Sequence, residues 1–66
     1  SPAITTALVP YIGYHRAAQV AGEMKRSGKD IMAANETLGF LSAYKLNEIL
    51  DPGKLLQLGY QLGDLE

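Results

Sequence analysis

Any proton transfer or metal ligation in this 66-residue chain would have to be built from one histidine, four tyrosines and seven acidic side chains. His15 is the lone imidazole, and no nucleophile or carboxylate partner stands near it in the sequence. A histidine without such partners reads as structural or exposed, because positioned acid–base work needs a second group to hold or accept the proton. The carboxylates do not cluster. Glu23 and Asp30 are far apart, and Glu48 and Asp51 flank an expected helix junction. None of them has the spacing of a zinc or calcium site. The seven glycines are scattered rather than gathered into a phosphate loop. No catalytic residue, metal ligand or cofactor is therefore expected. Tyr11, Tyr14, Tyr44 and Tyr60 read as half-buried packing residues with their hydroxyls at the surface. The functional alternative for them is contact with a partner. On that alternative, Pro10, Tyr11, Ile12, Gly13 and Tyr14 form a candidate docking or hinge segment.

The elements that would hold these groups are helical. Alanine and leucine dominate the 47% of apolar residues, and both favour helix. β-branched residues never alternate over a strand-length run. Residues 1–9 show no period and read as an extended lead-in. Pro10 disfavours helix at Val9 and suits a helix start, so a first long helix is predicted from Tyr11 or Gly13 to Ser27. Ala17, Val20, Ala21 and Met24 face inward, with Arg16, Glu23, Lys25 and Arg26 on the other side. Gly28 ends that helix, and Lys25 and Arg26 in its last turn suit the negative end of its dipole.

A second helix is predicted over about Asp30 to Leu38, turning Ile31, Ala34 or Asn35, and Leu38 inward and stopping at Gly39. Ser42 is the expected N-cap of a third, with Leu41 and Leu46 at the positions of a hydrophobic staple. Lys45 stands where a capping box would need Glu or Gln. Asp51-Pro52 opens a fourth helix or a single turn, with Asp51 as cap. The stripe of Leu38, Phe40, Leu41, Leu46, Ile49 and Leu50 is assigned to the core. The expected fold is thus all-α: one small domain of about three to four short helices over residues 10–58. Residues 59–66 form a flexible tail in this scheme, in which Leu65 and Glu66 could be appended by cloning.

Composition narrows the function classes. A net charge of −1 offers no electrostatic attraction for nucleic acid or an anionic membrane. No apolar run reaches a membrane span, and the first residues lack the features of a signal peptide. The chain has no cysteine, so neither disulfides nor a thiolate metal site hold it. A domain of this size buries only about 60% of its unfolded surface, so its stability is marginal. The residues alone therefore lead to a packing or interaction module.

Three segments resemble the C-terminal domain of the fumarase/aspartase family of lyases. They are Pro10-Tyr11-Ile12-Gly13-Tyr14 with Ala17-Ala18 behind it, Gly39-Phe40-Leu41-Ser42, and Leu46-Asn47-Glu48-Ile49-Leu50-Asp51-Pro52. Their order and spacing agree with the family over about Thr6 to Leu56. Val9 stands where the family usually has Asn, and Ala43-Tyr44-Lys45 replaces its acidic first turn. The family's catalytic Gly-Ser-Ser signature is not in this sequence. The resemblance implies that the catalytic loop lies N-terminal to this segment. It further implies a cytoplasmic homotetrameric parent that adds or removes ammonia or water across the double bond of fumarate. This domain would pack on the remaining domains and other subunits, help close the active site and be inactive by itself. Excised, it is expected to self-associate. The Ile49-Leu50-Asp51-Pro52 ending favours aspartate ammonia-lyase. The alternatives are the C-terminal domain of a fumarate hydratase and a freestanding helical interaction module.

Overall fold

A computed structural model describes residues 2–61. Among them five helices follow in order: α1 (Pro2–Thr6), α2 (Val9–Ser27), α3 (Ile31–Leu38), α4 (Ala43–Ile49) and α5 (Pro52–Gln57). The all-α expectation holds, with one helix more than the sequence suggested. The radius of gyration, 10.9 Å, equals the roughly 11 Å of a fully packed chain of this length. The helices therefore share one core.

The additional helix is α1, and it corrects the extended lead-in. A five-residue helix has no standing alone, because nucleation costs more than its few hydrogen bonds return. It forms here because α1 packs against α2. The segment that follows supplies Ala7 and the fully buried Leu8 to the core, and Thr5 is buried as well. Thus residues 5–8 are structural members of the domain.

The centre is made by Leu8, Val20, Leu46 and Leu55, all essentially inaccessible to solvent. Ala17, Ile31, Ala34 and Ile49 surround them, and Met24, Leu38, Phe40, Leu41 and Leu50 pack against this cluster from partly exposed positions. The inward face of α2 is as predicted at Ala17 and Val20, with Ala21 and Met24 at its edge.

Helix ends follow local chemistry. Gly28 and Gly39 are both left-handed, and their N–H groups donate to Met24 O and Asn35 O. Asp30, Ser42 and Asp51 cap α3, α4 and α5, accepting from the N–H groups of Ala33, Lys45 and Lys54. The Ser42 bond is 3.1 Å long. Ser42→Ala should lower stability by about 1 kcal/mol. An unchanged thermal melting curve for that variant would mean the cap contributes nothing.

The C-terminal expectation needs a partial correction. Gly59 and Tyr60 do not begin a free tail: the Tyr60 N–H donates to Leu55 O at 3.1 Å, and its ring packs against the core. Leu65, Glu66 and the rest of residues 62–66 lie outside the described residues.

Candidate docking and hinge surface

The five residues from Pro10 to Tyr14 sit where α2 breaks. Val9–Ile12 forms a single helical turn, started by bonds from the N–H groups of Tyr11 and Ile12 to Leu8 O. Pro10 fits this first turn, where its missing N–H is not needed. Gly13 then leaves the helix, with φ 86° and ψ 163°. That conformation is essentially restricted to glycine. A Cβ built there would meet nothing within 4 Å, so the backbone angle and not crowding demands glycine. The long helical stretch resumes at Tyr14.

The break sends neighbouring side chains in different directions. Ile12 is partly buried and packs on the core. Tyr11 is 51% exposed and Tyr14 80% exposed. Tyr44 on α4 is as open as Tyr14. The expectation of half-buried tyrosines is therefore corrected for Tyr11, Tyr14 and Tyr44 and retained only for Tyr60. A phenol ring tolerates either side of the surface, so its type alone does not place it.

Pro10 and Tyr11 line an open groove of about 410 Å3 together with Glu48, Lys54, Leu58 and Tyr60. The Lys45 ammonium lies 5.3 Å from the Tyr11 ring centroid and also pairs with Glu48 at 3.3 Å. On the other side of the break, the Arg16 guanidinium lies 5.5 Å from the Phe40 ring centroid. These contacts join distant segments, so no local pattern announces them.

The remaining polar groups have structural roles or stand apart. His15 is exposed. Asp30 and Asp51 are occupied as helix caps. The hydrogen bonds that the Arg26 guanidinium donates to Glu23, and then the charge of that carboxylate, hold Arg26 above its ordinary range. Such an ion pair on a helix surface contributes little. Among the described residues, no three His, Cys, Asp or Glu side chains come together as metal ligands. No helix there is long and apolar enough to cross a membrane.

One buried polar residue was only half anticipated. Asn35, 3% exposed, accepts from the Leu41 N–H at 3.0 Å and donates to Leu41 O at 2.7 Å. It thereby pins the turn between α3 and α4. Its place just before the Gly39 stop was the available signal, but the sequence left Ala34 and Asn35 as alternatives, whereas both are buried.

The chain is similar to known proteins along most of its length. The family model described as Fumarase C C-terminus matches residues 4–57. The class II fumarate hydratase of Bacillus anthracis is 38% identical over 53 residues, covering 80% of this chain and 12% of that protein. The enzyme named fumarate hydratase class II 1 of Pseudomonas aeruginosa is 35% identical over 57 residues, or 86% of this chain and 12% of the relative. The class II fumarate hydratase of Halobacterium salinarum is 36% identical over 64 residues, or 97% and 14%. The chain thus spans 12–14% of the length of these relatives. No solved structure gives a significant match. The names of these relatives favour fumarate hydratase over the aspartate ammonia-lyase expected from Ile49-Leu50-Asp51-Pro52.

Proposed function

Because this chain belongs to the fumarase C C-terminal domain family, matching it over residues 4–57, we propose that it serves a fumarate hydratase as a docking and closing domain. The parent reaction is the interconversion of fumarate and malate by addition or removal of water. In this proposal the segment supplies no acid, base or nucleophile to that step. Its part is mechanical: Tyr11 and Tyr14, held outward by the break at Gly13, rest on the remaining domains of a homotetrameric, cytoplasmic parent, and the domain moves against them as one packed unit. The observation that supports this best is the split at Gly13, which anchors Ile12 in the core while turning Tyr11 and Tyr14 outward. Exposed aromatic area of this kind favours association, so the isolated chain would self-associate through the same face.

A closing domain acts on turnover by excluding water and completing a site. A change of about 1.4 kcal/mol between open and closed forms alters their ratio about tenfold. The test is Gly13→Pro in the full-length parent, because the fixed φ of proline is incompatible with the angle at Gly13. Turnover of L-malate, with L-aspartate as the comparison substrate, is measured beside thermal stability. The expected result is lower malate turnover per folded tetramer and no ammonia release from aspartate. Wild-type turnover with only a lowered melting temperature would make the domain a structural appendage. Ammonia release from aspartate would return the assignment to aspartate ammonia-lyase.

A further inference from the structure

Gly22 weakens α2, and nothing inside the domain calls for it. It lies within the unbroken part of the helix and keeps helical angles, unlike Gly13 and Gly28, so the backbone does not require glycine. A Cβ there would meet nothing within 4 Å, so no other segment of the domain requires it either. Relative to alanine, glycine inside a helix lowers the folding equilibrium by about two- to fivefold. What a bare helix position offers in exchange is close approach of something else. The surface around Gly22 suits such an approach. An open groove of about 470 Å3 is lined by Thr5 of α1, by Ala21, Gly22, Met24 and Lys25 of α2, and by Lys29 just beyond it. Ala21 and Met24 are apolar yet partly exposed. The charged side chains of this lining, Lys25 and Lys29, are both basic, and among the described residues neither ammonium is in an ion pair. Small-molecule sites fix their ligand with several converging polar groups. Two flexible ammonium groups beside small apolar residues fit instead a polypeptide with an apolar face and flanking carboxylates.

From these features we propose that the groove around Gly22 is a second docking face, filled in the parent by an acidic, partly apolar segment of the chain that precedes Pro2. The apolar side of that segment lies on Ala21, Gly22 and Met24, and its carboxylates pair with Lys25 and Lys29. The present chain spans 12–14% of its relatives and matches a C-terminal family model, so most of such a parent lies upstream. Thr5, which lines the groove, is less than one helical turn from Pro2. An upstream segment is therefore tethered beside the groove and acts at high effective concentration. A second copy of this chain is a poorer occupant, because its own groove would add two more ammonium groups to the contact, and like charges oppose association. The proposal rests on the longer parent proposed above, but not on domain closure. A Gly13→Pro variant with unchanged turnover would end the closing role and leave this face standing.

The experiment places Gly22→Leu in the full-length parent and in the 66-residue chain. Leucine is close to alanine in helix propensity. In the short chain the variant should therefore raise the folding equilibrium by about two- to fivefold, read as a higher urea midpoint. In the parent the same side chain meets the upstream segment, and the thermal midpoint should fall. A change in the same direction in both proteins overturns the proposal, as does an unchanged midpoint in the parent. Lysine acetylation of the two wild-type proteins, read by mass spectrometry, is the second measurement and needs no variant to fold. Lys25 and Lys29 should react several-fold more slowly in the parent than in the short chain, and equal rates overturn the proposal. If Gly22→Leu leaves the parent insoluble, the lysine rates decide. Sedimentation of the short chain tests the other occupant: loss of its self-association in Gly22→Leu would assign the groove to a second copy and overturn the proposal.

Discussion

Truncating Leu46 to alanine is expected to leave much of the chain unfolded at room temperature. Leu46 is completely buried, at the meeting of α4 with the cluster of Leu8, Val20 and Leu55. Removing a buried leucine side chain costs about 2–5 kcal/mol, because transfer free energy is lost and the cavity collapses only in part. Folded domains have about 0.05–0.15 kcal/mol of stability per residue, which is about 3–10 kcal/mol at this length. The loss is therefore comparable with the whole. Leu58→Ala is the control, since Leu58 is 74% exposed and should change stability by less than about 0.5 kcal/mol. Urea unfolding followed by far-ultraviolet ellipticity separates the two. Equal midpoints for Leu46→Ala and Leu58→Ala would show that the core is not where the structure puts it.

Asn35→Ala should have the next largest effect. The Asn35 amide satisfies both the N–H and the C=O of Leu41, so one truncation strips two backbone groups of their partners. A fully buried polar group left unpaired costs about 1–3 kcal/mol, and because Leu41 is only half-buried the two together are expected to cost about 2–4 kcal/mol, the lower part of the summed range. Asn35→Asp gives a sharper result. The new carboxylate still accepts from the Leu41 N–H, but its second oxygen faces the Leu41 carbonyl, and two acceptors repel. Protonation restores a donor there. Burial and the facing carbonyl thus raise the folded-state pKa of the introduced carboxyl above its unfolded value. Its favourable contribution is then fully present below the unfolded pKa and is lost as pH rises through the folded one. The stability deficit of Asn35→Asp relative to wild type should shrink on acidification, whereas that of Asn35→Ala should not. Parallel pH profiles for the two variants would exclude the paired hydrogen bonds as the cause.

The caps illustrate what could be read directly. Ser42, Asp51 and the Gly28 and Gly39 stops were all assigned from sequence, and each makes the expected bond within four residues. Leu46 and Ile49 were likewise assigned to the core by helical period, and both are buried. The Ile49-Leu50-Asp51-Pro52 ending is a poor guide to substrate for a related reason. Leu50 closes α4, while Asp51 and Pro52 open α5. That ending is explained by helix capping, which is needed whatever reaction the parent performs, so it carried little information about substrate. The fumarate hydratase names came instead from similarity over most of the chain.

The sequence by itself determined the all-helical class, the stops of α2 and α3, the starts of α3, α4 and α5, and most of the core stripe. These depend on interactions between residues no more than one helical turn apart. It also carried the family resemblance, spread over three short segments. Only the tertiary structure decided that α1 is helical, because that helix exists by packing on α2. The same holds for the exposure of Tyr11, Tyr14 and Tyr44, the placement of Lys45 over Tyr11 and the angle at Gly13. Each is set by contacts between segments distant in the chain, and glycine and tyrosine are the residue types whose own preferences constrain such outcomes least.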